Sequence, residues 1–513
     1  MIKTQRREGA NAQIRKNKIL ETFAPLRLRA FALKKQIFII IVLTFSLLLS
    51  ACIGGKKVPN LDAIFAQSKL RKGKRPVIII PGILGSELVN PETNERVWIN
   101  LSAAKTDGLS LPISPRLSEN RDKLVATRII ERAKISAFLP EVSIYEALIQ
   151  AMERYGGYTK GDWENPSSDN GGLDKYYVFA YDWRLDNVEN ARLLVRKIRD
   201  LKSKLGTGDL HFNVIAHSMG GLVARYAAMY GDEDLPADGT KPEPNWAGID
   251  HFNKIFMFGV PNEGSMATLE LLIKGYRVGG FEIRVLGREA AMTAPSVFQL
   301  LPHQSTARFY DENLNPVEVE LYDPETWKKY GWSAYADSAF RSKFAGQPNA
   351  INAAGRKSEF ADVSLEDLEA YFANTLKRAK LFHEALDVSA EAPASIGFFA
   401  FGSDCDDTQD GAILVKSASA WQTMFTPKSY RTSGGRQISK EEARAKLYAP
   451  GDTRVTRRSL LAESLTEQNY RNSIFRRTLP VTSTFLCESH EQLPNSKIMQ
   501  DNFITALVQE LNQ

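Results

Sequence analysis

His211-Phe-Asn-Val-Ile-Ala-His-Ser-Met-Gly-Gly-Leu-Val-Ala-Arg-Tyr226 is the stretch on which the reading of this chain turns. An apolar run enters it, a helical pattern leaves it, and the residues between them are small except for His217 and Met219. A strand that passes straight into a helix within one residue leaves no room for bulk on either side of that residue. Ala216, Gly220 and Gly221 supply the space, and the residue at the apex is Ser218. Such a bend exposes the serine oxygen and aims the first N–H groups of the helix toward it.

Outward from this bend, short apolar runs recur at 77–80, 176–180, 255–258, 396–401 and 481–487, in addition to 212–216. They show no polar alternation, as expected of strands covered on both faces, and each ends in polar or Gly/Pro residues. Helical patterns lie between them. After Asn187, apolar residues fall at Leu194, Ile198, Leu201 and Leu205, with Gly206 as a stop, and a last helix is predicted over 495–511. The fold class implied is α/β, a mostly parallel sheet flanked by helices. Ala216-His217-Ser218-Met219-Gly220 is then the G-x-S-x-G nucleophile elbow of an α/β-hydrolase, with alanine first.

In that fold the loop after an early strand donates one N–H to an oxyanion, and the residue after the nucleophile donates another. Pro81-Gly82 ends the run 77–80, which points to Ile83 and Met219 as the donors. The chain order is Ser, then acid, then His. Among the histidines that follow Ser218 are His303, His383 and His490. His490 comes after the last apolar run and before the last helix, where the base belongs. Asp410 in Asp410-Gly-Ala-Ile413 is one possible acid, and Asp404, Asp406 and Asp407 lie nearby. The stretches 101–160 and 265–395 exceed what a single crossover needs, and the second is read as a mostly helical cap. The expected organisation is 75–264 and 396–513 as core, with 265–395 inserted.

Pro81-Gly-Ile-Leu-Gly-Ser-Glu-Leu88, Tyr181-Asp-Trp-Arg184, Ala216-His-Ser-Met-Gly-Gly221 and Pro295-Ser-Val-Phe-Gln-Leu-Leu-Pro302 together resemble the lecithin:cholesterol acyltransferase family and its lysosomal phospholipase relatives. Gly259-Val-Pro-Asn-Glu-Gly-Ser265 and His490-Glu-Gln-Leu-Pro-Asn495 are similar to further family segments. The resemblance implies an α/β-hydrolase core with a cap, acting on lipid esters, with no metal needed for the chemistry. Gly451-Asp-Thr-Arg-Val455 resembles the family's Gly-Asp-Gly-Thr-Val, which would make Asp452 the acid and leave Asp410 as its rival. It departs from the pattern at Thr453 and Arg454. Asp182, Trp183 and Arg184 would either position substrate or, through an Asp182–Arg184 pair, hold a loop.

The N-terminus reads as an address. Residues 37–49 form an uncharged apolar run preceded by Lys34 and Lys35, with the length of a signal-peptide h-region. Leu49-Ser-Ala-Cys52 then resembles a bacterial lipobox, which implies cleavage before Cys52 and acylation of its thiol. Residues 1–51 would be the leader, with a long basic n-region, and 52–74 a polar tether. The partner implied is a membrane surface in a bacterial cell envelope. Ile53 after the cysteine favours the outer membrane, on its periplasmic side. With Cys52 acylated, Cys405 and Cys487 remain, each following one of the last two strands. Export favours a disulfide between them; the alternative is two buried thiols.

Of the 513 residues 25% are charged, and much of the net charge of +6 comes from Arg and Lys before residue 36. The rest is near neutral, which gives no electrostatic support to a nucleic-acid partner. Three cysteines and six scattered histidines, without an HExxH pair, point to no catalytic metal and no cofactor. Three functions fit: a serine-dependent lipid ester hydrolase, an O-acyltransferase that passes the acyl chain to an alcohol, or a non-catalytic lipid-binding lipoprotein.

Overall fold

The computed structural model describes residues 58–99, 107–133, 142–278, 283–332, 363–388, 392–417, 420–463 and 482–508. The chain divides into Met1–Pro59 and Asn60–Gln513, and the second unit carries the fold. The apolar run 37–49 and Cys52 lie outside the described residues. Among the described residues, no helix is long and apolar enough to cross a membrane.

The core is a sheet of seven parallel strands: β1 (Val77–Ile80), β2 (Thr159–Lys160), β3 (Lys175–Val178), β4 (Phe212–His217), β5 (Phe252–Phe258), β6 (Gly397–Gly402) and β7 (Thr482–Phe485). Across the sheet the order is β2-β3-β1-β4-β5-β6-β7, with every pairing parallel. Alternate residues feed two apolar layers. Ile78, Ile80, Phe212, Val214 and Ala216 join one; Val77, Ile79, Ile215, Phe256 and Phe258 join the other. This is the doubly covered sheet that the unalternated apolar runs predict. β7 departs from that expectation. Its residues are exposed or half-buried because it is an edge strand.

Six helices matter to the argument: α1 (Glu146–Arg154), α2 (Asn187–Leu205), α3 (Met219–Tyr230), α4 (Met266–Lys274), α5 (Leu365–Leu386) and α6 (Lys497–Val508). α2 lays Leu194, Ile198 and Leu201 on the first layer, together with α3 and Phe372 of α5. α1 and α6 cover the opposite face through Met152, Met499, Phe503 and Leu507. The Asp186 carboxylate accepts from the Val188 N–H at 2.7 Å and caps α2, which ends at Gly206 as its sequence predicts.

Three sequence expectations are redrawn. The polar tether to residue 74 stops earlier, because Leu61 and Phe65 are buried in the second apolar layer. The stretch 265–395 holds helices, but also a hairpin (Tyr276–Val278 with Ile283–Leu286) and a strand, Arg308–Tyr310. That strand pairs with Gly411–Lys416, beyond the expected end of the insertion. The chain between β6 and β7 is also no simple crossover. It makes a small-sheet excursion in which Asp406–Gln409 runs antiparallel to Tyr448–Gly451 and delivers Asp452. Runs of three or four residues in small sheets carry too little periodicity to be read in advance.

Register brings the strand ends to one rim. Ile80 lies opposite Ala216, Phe258 opposite His217, and Gly402 opposite Phe485. The segments that follow β1, β4, β5 and β7 therefore meet at the carboxyl edge of the sheet, where such folds build their sites.

Candidate active site

Ser218 stands between β4 and α3 with φ +53° and ψ −128°. A side chain at positive φ costs about 1–3 kcal/mol and persists only where its surroundings fix it. Here they do: the Ser218 N–H donates to the Phe258 carbonyl at 2.8 Å, and the Gly221 N–H donates to the Ser218 carbonyl at 2.9 Å. The need for small residues is visible at Gly220. A Cβ there would stand 2.4 Å from the Pro81 carbonyl oxygen, so only glycine lets α3 start this close to the end of β1.

His490 follows β7 and faces Asp452, with Nδ1 and Oδ2 2.8 Å apart. The second oxygen of Asp452 accepts from the Val455 N–H at 2.7 Å and the Arg454 N–H at 3.0 Å. The His490 N–H in turn donates to the Asp452 carbonyl at 2.7 Å. A carboxylate that already accepts two amides is held as an acceptor, so Nδ1 of His490 carries the proton and Nε2 presents a lone pair. Burial opposes a charge on His490, but the Asp452 carboxylate, with Glu491 beyond it, outweighs burial and holds the imidazole above its ordinary range. Gly259, at φ +56°, passes directly against the pair. A Cβ there would lie 2.7 Å from Asp452 Oδ2 and 2.8 Å from His490 Nδ1.

Ser218 and His490 line one cavity of about 580 Å³. Its walls are mainly apolar: Leu84 and Ile83 from the loop after β1, Ile99, Ile130 and Ile144 from the 98–144 region, and Leu271, Val297 and Leu300 from the insertion. Both long stretches that interrupt the alternating pattern thus roof the serine. A second, larger cavity of about 920 Å³ is polar, with Glu270, Lys274, Arg288 and Asp407 in its lining. It does not reach Ser218, but Ala267, Leu271, Tyr276 and Arg454 line both cavities.

The departure from Gly-Asp-Gly-Thr-Val has a local explanation. Thr453 takes φ +85°, the conformation a glycine would supply, and its N–H is held by Thr408 Oγ1 at 2.8 Å. Arg454 lies over the Tyr276 ring, donates to its hydroxyl at 2.9 Å, and reaches Glu491 at 3.3 Å. The backbone that presents Asp452 is therefore kept while the side chains change.

Ile83 lines the cavity, and Met219 is buried at the start of α3. Asp410 is buried away from His490, against Arg308 at 3.2 Å and Arg458 at 3.5 Å. Asp404, Asp406 and Asp407 are exposed, and Asp407 pairs with Arg444. Substrate contact by Asp182, Trp183 and Arg184 is not what the structure displays. All three are buried and line neither cavity. The fully buried Arg184 guanidinium forks onto Asp182 (3.0 and 2.7 Å) and Asp122 (2.7 and 2.8 Å), and this network braces loops. Their neighbour Tyr181 does serve the site: its hydroxyl donates to the Pro81 carbonyl at 2.9 Å. Cys405 and Cys487 are joined in a disulfide. The rings of His303 and His383 lie 3.9 Å apart between centres, tilted by 33°, and His303 meets Asp387. Among the described residues, no three His, Cys, Asp or Glu side chains converge as they would around a metal ion.

One residue that sequence reasoning missed is Tyr145, whose hydroxyl accepts from the Gly82 N–H at 2.9 Å. It belongs to no motif and precedes α1, far along the chain from Gly82.

Residues 126–384, just over half of the 513, match the family described as lecithin:cholesterol acyltransferase. The chain belongs to that family. The match takes in the elbow at Ser218 but ends before Asp452 and His490. A protein of Saccharomyces cerevisiae, "Uncharacterized protein YJR098C", is 30% identical over 153 residues, which is 29% of this chain and 20% of the yeast one. The similarity thus spans about a fifth of that relative's length. Among solved structures, a chain from the crystal structure of the Tle4-Tli4 complex aligns with a TM-score of 0.53 at 15% identity, covering 85% of this chain and 98% of the other. At that identity the likeness is one of fold, and the fold is that of an α/β-hydrolase. Membership of the lecithin:cholesterol acyltransferase family therefore rests on sequence, and the architecture on both.

Proposed function

We propose that this member of the family is a serine-dependent lipid ester hydrolase working through an acyl-enzyme. The observation that carries the reading is Ser218, held at a positive φ in the wall of an apolar cavity that also contains His490 bonded to Asp452. In this reading His490 Nε2 accepts the Ser218 proton as Oγ attacks the ester carbonyl. Asp452 keeps the imidazole in the required tautomer and stabilises the imidazolium that forms. The N–H groups of Ile83 and Met219 receive the oxyanion, each such donor contributing about 3–4 kcal/mol to the transition state. The leaving alcohol takes the proton from His490, and water attacks the acyl-enzyme by the same route. An alcohol in place of water would make the reaction an acyl transfer, as the family's name describes.

The apolar lining supports an acyl chain as the group bound beside Ser218, and the adjoining polar cavity supports a polar remainder of the substrate. The N-terminal segment supports export and attachment to a bacterial envelope through a lipid on Cys52.

Fluorophosphonate labelling of the wild type and Ser218→Ala tests the mechanism. Loss of labelling in the variant is the expected result, with ester hydrolysis lowered about 10⁴-fold or more. A variant that still labels or turns over ends the proposal. Phospholipids and acylglycerols offered with and without an acceptor alcohol then separate hydrolysis from transfer.

A further inference from the structure

His217 lies between the two halves of the machinery. On one side its Nδ1 is 2.7 Å from the Tyr145 hydroxyl, and that hydroxyl is 2.9 Å from the Gly82 amide nitrogen. On the other side its Nε2 is 3.0 Å from the His490 carbonyl oxygen, with the two imidazole rings 4.8 Å apart. The direction of every bond in this chain is fixed by its ends. An amide N–H can only donate, so the Tyr145 oxygen accepts from Gly82 and gives its own proton to His217. A carbonyl can only accept, so His217 Nε2 carries the hydrogen and Nδ1 is the lone pair that Tyr145 needs. The order runs Gly82 N–H to Tyr145 O–H to His217 to His490 C=O.

The protonation states that this order requires are also those the surroundings favour. Burial, and then His490 beside it, push His217 down to about 3, so the ring stays neutral. Burial raises Tyr145 well above the ordinary range of a phenol, so its hydroxyl stays intact. Tyr145, His217 and His490 are each less than a tenth exposed, which removes competing water from all three bonds.

We infer that His217 and Tyr145 are positioning residues that couple the oxyanion loop after β1 to the base after β7. The inference rests on the proposed serine mechanism, because it gives the chain its purpose. Anchoring Gly82 sets where the next amide, that of Ile83, stands. Anchoring the His490 carbonyl sets where its imidazole stands. Both residues line the cavity beside Ser218, and their hydrogen bonds run to Gly82, to each other and to the His490 carbonyl, so together they tie the oxyanion loop to the base across Ser218. Misplacing reacting groups by about an ångström costs on the order of 100-fold in rate.

Three variants test this on a soluble short-chain ester, each measured for kcat, KM and melting temperature. Tyr145→Phe removes the middle hydroxyl with little change of shape. His217→Gln keeps a donor toward His490, while its acceptor, the amide oxygen, no longer stands at the Nδ1 position that Tyr145 uses. The double variant removes both. The expected result is a fall in kcat of about 10- to 100-fold for each single variant, with KM within about twofold. The double variant should be no worse than the more damaged single one, since links of one chain are not lost twice. A kcat within about twofold of wild type in both single variants overturns the inference, as do losses that multiply in the double variant. Should Tyr145→Phe fail to fold, the kcat and KM of His217→Gln decide alone by the same limits. Ser218→Ala is measured alongside. If it retains activity, the serine mechanism itself has failed; if it is inert while the Tyr145 and His217 variants are unimpaired, only the coupling has.

Discussion

At the scale of single residues, the site turns on which carboxylate faces His490. Asp452 does so at 2.8 Å, while Asp410 is engaged by two arginines elsewhere. Asp452→Asn is therefore expected to lower kcat about 10⁴-fold, because an amide favours the wrong tautomer of the imidazole. Asp410→Asn should leave kcat within about threefold and instead lower the melting temperature, since Arg308 and Arg458 lose a buried partner. Parallel kinetics and thermal melts of the two variants check this. The pH profile follows from the same pair. Under the proposed mechanism the neutral imidazole is the form that accepts the serine proton, so activity should fall as pH drops through the His490 pKa. With that pKa raised above 6.5 by Asp452, the acid limb of kcat/KM should lie above 6.5. In any residual activity of Asp452→Asn the limb should move to lower pH, and initial rates across about pH 5 to 9 would show both.

At the scale of elements, Asp452 reaches the rim from within the excursion between β6 and β7, and His490 from just after β7. The disulfide between Cys405, after β6, and Cys487, after β7, closes that excursion over a separation of 82 residues, with Asp452 inside it and His490 just beyond. β7 is a four-residue edge strand paired on one side, and the disulfide adds a covalent tie where it ends, beside the bond of 3.0 Å from the Leu486 N–H to the Gly402 carbonyl. Replacing both cysteines by serine should cost about 2–5 kcal/mol of stability. It should also lower kcat more than it raises KM, since the base loop loses its tie. Chemical denaturation and kinetics of the double serine variant measure the two effects. How legible these elements were in the sequence depended on their length and burial. β1, β4 and β5 announce themselves because both faces are apolar, and α2 because four turns repeat one pattern. The elbow was legible because few residues can make that bend. The short strands around Asp452 were not, and Asp452 came from a family resemblance rather than from any periodicity. Tyr145 was invisible for a different reason: a tyrosine that bonds a distant backbone leaves no local pattern.

At the scale of the whole molecule, the unit Asn60–Gln513 carries the sheet and Ser218, and the proposed function gives the segment before it the part of an export address. Under the proposed function, acylation at Cys52 would hold a cavity with an apolar lining near the surface where its substrates reside. Replacing Cys52 by alanine is expected to abolish incorporation of a labelled fatty acid and to release the chain from the membrane fraction. Labelled protein that persists in the variant would remove the anchor from the reading. The purified full chain should hydrolyse a soluble ester equally well with either residue at 52, which separates attachment from chemistry.

The order of β7 in the chain has one more consequence. His217 and His490 are 273 residues apart, and the base arrives on the strand that closes the outer edge of the sheet. During synthesis Ser218 emerges long before His490, so until β7 has been made the chain carries the serine without that imidazole beside it. Under the proposed function, such an order would delay the onset of hydrolysis until the final strand has docked, and so would keep the chain inactive toward lipids while it is still being made.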